Sequence, residues 1–542
     1  MERNVILAIV LSVLVLIIFQ VLQVMFFPAP QSPKNGTANS TQPQEPMKTG
    51  EALQESSTVL SLKKITLKTP LYIAELNTSG GRFTEFRLLN YRKEKNKPEP
   101  VNLVPHNFYP FEVYLASDPS IAYIPMDYQG PDEKTLNKGE RERIVLTGEK
   151  GGLSLTKVFT FKGDNYFVDL SVELKNLKNE PVKDRLLIRG LFSPFVKGSQ
   201  YVFKGPFYYT NYLNEVELKD TLTEYVGPLK YLGYMDVYFM TAIIPEQQGN
   251  FRATFRRLEN SEEFILWTPE FTLNPGEKIT YNFKLYLGPK KSEEMEKEYP
   301  LLSKALYFGF FDIIAKPLLW LLKFLHTFTH NYGWAIVIVT ILIRILFYPL
   351  NHISFKSMKK MQELQPVIQR LREKYKDDPQ TLQKEILNLY KTHKINPFSG
   401  CLPILIQIPV FFAFYKVLLM AIELRHAPFI LWIDDLSAPE RLYLGSFEIP
   451  WLGGIPLLTI LMGATMFIQQ KLTPSSMDPV QEKVMLILPI FFTFLFVNFP
   501  SGLVLYWFVN NLLSIGQQVL TLRMYKNKKL KARGCYGERS FS

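Results

Sequence analysis

Gly333 to Leu350 reads GWAIVIVTILIRILFYPL, apolar throughout except for Thr340 and Arg344. At about 1.5 Å per residue, the guanidinium lies about 9 Å of helix inside Leu350. A cation at that depth costs roughly 2.5–3.5 kcal/mol on insertion scales, so it faces water, protein or a polar partner rather than lipid. Thr340, one turn earlier, shares its face. Two readings stay open here. Arg344 snorkels to the interface, or it is a cationic site inside the membrane.

Composition narrows the classes. The chain has 542 residues, 47% hydrophobic and 14% aromatic, with a formal charge of +12. That blend suits soluble and membrane parts together, and the charge suits nucleic acid or an anionic membrane surface. Cys401 and Cys535 are too few to staple a domain or to form a zinc quartet. No Gly-Lys dipeptide occurs, which excludes a Walker-type phosphate loop.

Asn4 to Phe27 carries no charge over 24 residues, enough to span a bilayer. It is too long for the apolar core of a signal peptide and no A-x-A site follows, so residues 1–27 read as a retained anchor. Residues 28–57, rich in Pro, Gln, Ser and Thr, read as a flexible linker. From 58 to 300 the apolar period becomes two. Leu153, Leu155, Phe159 and Phe161 lead through Gly163-Asp164-Asn165 into Tyr166, Val168, Leu170, Val172 and Leu174, a β-hairpin with one buried face. A second hairpin is expected from Phe271–Leu273 through Asn274-Pro275-Gly276-Glu277 into Ile279–Leu285. Many such strands predict a large antiparallel β-sandwich. Its aromatic residues suit core packing better than a sugar face, since no polar constellation accompanies them.

Residues 301–331 look long enough to span. However, Asp312, Lys316, Lys323, His326 and His330 form one helical stripe, which predicts a helix lying in the interface plane. His326 and His330 are spaced as a metal pair would be, without a third ligand nearby. After the Arg344 span come apolar segments at about 401–423, 453–471, 484–499 and 502–523. With the anchor, the chain is expected to be a multi-domain membrane protein with an all-α six-span bundle and a β-sandwich domain. Residues 332–524 form the five-span core, with a helical hairpin at 356–398, and 525–542 a basic tail. In the hairpin, Asp378 and Pro379 predict an N-cap and first position after a helix begun at Pro366.

Charge gives the orientation. Residues 351–400 hold ten Lys/Arg against five Asp/Glu, 423–450 hold two against five, and 523–542 hold seven against one. By the positive-inside rule the first and last are cytoplasmic, which places both termini inside and the β-domain outside. In the last span Trp507, Asn510, Asn511, Ser514 and Gln518 make a polar stripe, flanked by Tyr506 and Gln517. Gln407, Thr459, Thr465, Gln469 and Gln470 add polar groups in other spans. Any one of these could be interhelical glue. No acidic residue lies mid-span to neutralise Arg344, which suggests a groove that receives something acidic.

GWAIVIVTILIRILFYPL, INPFSGCLPILIQIPVFFAFYKVL (395–418) and FPSGLVLYWFVNNLLSIGQQ (499–518) together resemble the three signature regions of the YidC membrane protein insertases. The end of the β-domain, Leu285–Lys290, resembles that of the Gram-negative type. The resemblance implies a non-enzymatic protein of the inner membrane that inserts and folds other membrane proteins, alone or beside the Sec translocon and its accessory subunits. It implies a periplasmic supersandwich, a groove open to the cytoplasm centred on Arg344, and substrate contact by Thr340, Tyr506 and Trp507. Gln407, Asn510 and Ser514 are expected to line the same groove. Ile404–Phe414 and Leu486–Phe496 match an apolar slide for the incoming segment. Trp507 departs from a Tyr-Tyr pair and loses one hydroxyl. The short tail makes ribosome contact doubtful. The expected partners are nascent membrane proteins and lipids, with no specific nucleic acid, metal or cofactor, and a monomer suffices. Two rivals rest on the same residues: a transporter, which should show two vestibules and often repeats, and an anchored outer-face carbohydrate enzyme, which needs convergent carboxylates.

Overall fold

A computed structural model describes residues 63–104, 109–196, 202–218, 222–393, 395, 402–445, 449–450, 452–473 and 479–537. The expected anchor and linker lie outside these residues. The described chain divides into two compact units, one ending at Tyr307 and the other beginning at Phe308.

The first unit is β-rich. Its largest sheet has eight strands in the order Leu213–Glu215, Gly205–Tyr209, Tyr231–Met235, Phe239–Pro245, Lys278–Pro289, Phe167–Asn176, Leu153–Lys162 and Arg141–Lys150. The period-two reading holds at its centre: Leu153–Lys162 pairs antiparallel with Phe167–Asn176, from Leu153 opposite Asn176 to Thr160 opposite Asp169. Leu155, Phe159 and Phe161 are buried while Ser154, Thr156 and Thr160 are half-exposed. Alternation puts them on opposite faces.

Two five-stranded sheets cover this one. The first packs Phe83 edge-on against Phe159 at 5.4 Å between ring centres. The second stacks Phe264 on Phe192 at 5.5 Å, and Phe192 on Tyr234 at 5.1 Å. Each such ring contributes roughly 1.5–3 kcal/mol by burial. Among the described residues all strand pairs are antiparallel except Lys64–Lys68 with Glu133–Thr135.

The second expected hairpin is not one. Its turn forms, with Glu277 N–H donating to Asn274 O at 3.0 Å and Gly276 at φ +77°. Yet Phe271–Leu273 pairs with Val182–Asp184, while Lys278–Pro289 pairs with Phe167–Asn176 and Phe239–Pro245. The turn reverses the chain between two sheets. Turn chemistry fixes the local reversal and says nothing of which strand each arm meets.

The second unit is helical: α1 (Asp312–Thr329), α2 (Tyr332–Glu363), α3 (Gln365–Lys374), α4 (Pro379–Thr392), α5 (Leu402–Met420), α6 (Leu457–Leu472), α7 (Pro479–Phe496) and α8 (Ser501–Gly537). Among the described residues α2 alone is long and apolar enough to cross a membrane; Ile406–Met420, Leu457–Leu472 and Met485–Phe496 are shorter apolar helices. Asn331 starts α2, its side chain accepting from Gly333 N–H at 2.8 Å and Trp334 N–H at 3.3 Å. The helix runs through Pro349 to Glu363, well past the expected end of the span. No glycine or further proline follows in 351–363 to stop it. Asp378 caps α4 as the sequence predicts, accepting from Thr381 N–H at 3.1 Å, with Pro379 in the first turn.

On α1 the polar stripe lies between two apolar ones. Ala315, Leu319 and Leu322 are buried; Ile313, Trp320, Phe324 and Phe328 are exposed. Asp312 pairs with Lys316 at 2.7 Å, Lys323 with Glu423 at 3.4 Å, and His326 stacks on Tyr332. No group of three metal-ligating side chains occurs among the described residues.

The segment between α5 and α6 caps several helix ends. Buried Glu440 accepts from Trp432 Nε1 at 2.8 Å and from Thr459 N–H at 3.2 Å, in the first turn of α6. Arg441 donates to Val497 O at 3.0 Å just beyond α7, and Ser501 Oγ donates to Asp435 O at 2.7 Å at the start of α8. The Glu440 and Arg441 bonds, with Ser501 N–H donating to Ala438 O at 2.8 Å and Gly502 N–H to Leu436 O at 3.0 Å, satisfy groups that helix ends leave open.

Candidate functional site

Arg344 lies on the half-buried face of α2 that meets α8, and its Nη2 donates to Asn510 O at 3.1 Å. Ser514 Oγ donates to the same carbonyl at 2.8 Å. Asn510 O, inside α8, thus takes one side-chain donor from a neighbouring helix and one from its own. On the other side of the residue, Asn510 Oδ1 accepts from Gln407 Nε2 of α5 at 3.3 Å. The Tyr506 hydroxyl lies beside the Gln407 side chain. Arg344, Asn510, Gln407, Ser514 and Tyr506 are therefore one connected set drawn from α2, α5 and α8.

The set is short of acceptors. Arg344 Nε is buried and has no hydrogen-bond partner, and among the described residues no carboxylate pairs with this guanidinium. Among the described residues a neutral carbonyl is the one hydrogen-bonded anchor of this cation in an apolar helix. Such an arrangement leaves a guanidinium donor without an acceptor.

Aromatic rings wall the set. Phe411 of α5 lies 4.8 Å from Trp507 and 6.3 Å from Tyr506, centre to centre, and Phe414 lies 5.0 Å from Tyr506. Trp507 also meets Phe496 of α7 at 4.8 Å edge-on. Phe411 lies within the expected Ile404–Phe414 slide, but its place against Trp507 was not legible, because one Phe in an apolar run carries no positional signal of its own.

Thr340 is brought to the same helix face but not into the network: it is 1% exposed and its hydroxyl donates back to Ile336 O at 2.7 Å. Two further members of the expected stripe turn elsewhere. Asn511 Nδ2 donates to Thr465 Oγ1 at 3.3 Å and Gln518 Nε2 to Thr473 Oγ1 at 3.1 Å, both toward α6 and its C-terminal end. A step of one residue rotates a side chain by about 100°, enough to separate Asn511 from Asn510. Asn511 and Gln518 act as interhelical bonds. Gln517 ties α8 back to α2 through Tyr348 O at 3.3 Å.

Comparisons with known proteins agree along the whole chain. A family model described as the 60Kd inner membrane protein matches residues 324–529, and one described as the YidC periplasmic domain matches 64–321. The membrane protein insertase YidC of Pelobacter propionicus is 39% identical, over 97% of this chain and 99% of its own length. That of Syntrophobacter fumaroxidans is 37% identical, over 96% and 99%. A solved YidC insertase with its first transmembrane domain resolved is 23% identical, over 94% of this chain and 98% of its own, at a TM-score of 0.36.

Proposed function

The chain belongs to the YidC family of membrane protein insertases, and from that premise we propose that it inserts and helps fold other membrane proteins at a polar site centred on Arg344. Membership makes it a membrane protein whose substrates are membrane proteins. The observation that carries the finer reading is the guanidinium held by Asn510 O, with Nε unpartnered and no described carboxylate beside it.

In this proposal acidic or polar groups of a substrate's translocated tail enter a cytoplasm-open groove and meet Arg344. Asn510 and Ser514 fix the guanidinium's position, Gln407 offers a second polar contact, and Tyr506 and Trp507 flank the chain. Thr340, buried on the same face, supports α2 at that level. The substrate's apolar segment then slides along Ile404–Phe414 and Leu486–Phe496 into lipid. Its transfer supplies the drive, at about 25 cal/mol per Å² removed from water, and the membrane potential helps negative tails outward. No covalent step is involved. The reading has six spans with both termini cytoplasmic and the β-unit periplasmic, an orientation that the charge counts in the connecting segments support. The Sec translocon is the expected partner for larger substrates, a monomer suffices for small ones, and ribosome contact through the tail is minor.

The test is Arg344→Ala in liposomes containing this protein and a small substrate with an acidic tail. Insertion should fall at least tenfold, the scale of a lost charged hydrogen bond of about 1.5–3 kcal/mol. Undiminished insertion would remove the electrostatic half of the proposal.

A further inference from the structure

A second polar site lies between α2, α6 and α8, whereas the Arg344 set is built from α2, α5 and α8. Lys356, at its rim, follows Arg344 by about 18 Å of helix. Gln518 and Thr521 are 2% and 7% exposed, yet Gln518 Oε1 and Thr521 Oγ1 have no hydrogen-bond partner. The orientation of the Gln518 amide is fixed. Its nitrogen donates to Thr473 Oγ1 at 3.1 Å, and the Thr473 hydroxyl is itself committed to Gln469 O at 2.8 Å. The amide oxygen is therefore the unpartnered atom, and it needs a donor.

Both residues line a cavity of about 10 Å³, walled by Leu472 and Leu522 and rimmed by Lys356 and Lys359. Lys359 also donates to Gln362 Oε1 at 2.7 Å. That volume holds one oxygen-sized group. Whatever fills it must present a hydroxyl to Gln518 Oε1 and Thr521. A ligand that also engages the lining carries negative charge for two ammoniums and an apolar portion to lie on the leucines. Inorganic phosphate lacks the apolar portion, and a choline phospholipid lacks both the hydroxyl and the net charge.

We propose that this cavity binds an anionic phospholipid with a hydroxyl-bearing headgroup. One headgroup hydroxyl enters between Gln518 and Thr521, the phosphate meets Lys356 and Lys359, and the glycerol ester region rests on Leu472 and Leu522. The inference rests on the helical unit lying in a bilayer, not on Arg344 receiving substrate.

The test is native mass spectrometry of the full chain in detergent, with phosphatidylglycerol, phosphatidylcholine or inorganic phosphate added. One phosphatidylglycerol should be retained with roughly tenfold preference over phosphatidylcholine, as two nearby lysines allow. Lys356→Gln with Lys359→Gln should abolish that preference, and Thr521→Val should weaken retention several-fold. Lys374→Gln with Lys384→Gln removes equal charge from the exposed hairpin and should leave retention intact. Arg344→Gln should also leave it intact, whatever that variant does to insertion. Equal retention of both lipids, equal loss in the two double variants, or displacement of the lipid by millimolar inorganic phosphate would each overturn the assignment.

Discussion

The buried arginines of the β-unit and Arg344 of the helical unit are partnered in opposite ways. In the β-unit, Arg82 is 5% exposed and meets Glu112 at 3.2 Å, with Ser79 O at 3.0 Å and the rings of Tyr109 and Tyr123 above it. Glu112 continues to Arg189, which reaches Glu263 at 2.6 Å, and Glu263 also pairs with Arg256. Lys162 likewise meets Glu298 at 2.6 Å. In the helical unit, Arg344 meets one carbonyl. Closed networks hold a fold in a single arrangement. An acceptor-poor cation is ready to change partners. Burial of charge is common to both arginines; the supply of carboxylate is what differs between them.

That contrast can be broken first at Glu112. Glu112→Ala leaves Arg82 buried without its carboxylate, converting it into a counterpart of Arg344. The β-unit should lose about 3–5 kcal/mol, the usual cost of breaking one side of a buried pair. Denaturant melts of the full chain, followed by hydrogen exchange of the Arg82–Arg92 strand, would register it. A loss within 0.5 kcal/mol, by the scale of ordinary surface substitutions, would mean the network is ornamental.

Lys157 sharpens the comparison, because the β-unit also contains a buried cation without a carboxylate in contact. Its Nζ donates to Gly80 O at 2.6 Å. That carbonyl is presented by a left-handed turn at Gly80 and Gly81, where a Cβ on Gly80 would fall 1.8 Å from Ala122 O. Burial lowers Lys157 from its ordinary 10.5 to about 7, with Glu112 opposing and Arg82 reinforcing the shift. Between pH 7 and 10.5 the unfolded chain therefore binds the extra proton, and stability of this unit rises with pH across that window. Below it the full cost of the buried charge is felt. Lys157→Met should stabilise the unit at pH 6 by a few kcal/mol, on the scale of about 1.4 kcal/mol per pKa unit, and flatten the rise. An unchanged pH profile would show that Lys157 stays charged.

A smaller effect is expected at Gln407. Gln407→Leu removes the bond to Asn510 Oδ1 but not the backbone carbonyl that holds Arg344. Insertion of an acidic-tailed substrate should fall only about two- to fivefold, the scale of one neutral hydrogen bond. A loss as large as that of Arg344→Ala would move the centre of the site to α5.

How much of this was written in the sequence differs by feature. The Leu153–Asn176 hairpin, the Asp378 cap and the family strings were legible because each is a local pattern with a local consequence. The pairing of Phe271–Leu273 with Val182–Asp184 was not, since register between distant strands leaves no trace in either one. Arg344 stood out through its setting, but its partner is a backbone carbonyl, which any residue type would supply at position 510. The polar stripe on α8 was visible as a stripe. Its division between Asn510, facing Arg344, and Asn511 and Gln518, facing α6, depends on where neighbouring helices sit. Glu440 and Arg441 were missed for the same reason: most of their bonds go to main-chain atoms.

The central claim is that Arg344 reads the charge of the incoming tail. Two matched small substrates, one with an acidic tail and one with those carboxylates replaced by amides, can be inserted into liposomes by the wild-type chain and by Arg344→Gln. If Arg344 reads that charge, insertion falls tenfold or more for the acidic tail and changes little for the amide tail, a coupling of about 1.4 kcal/mol or above. Equal losses for both tails would contradict it, making Arg344 a structural residue of α2 and no receptor for charge.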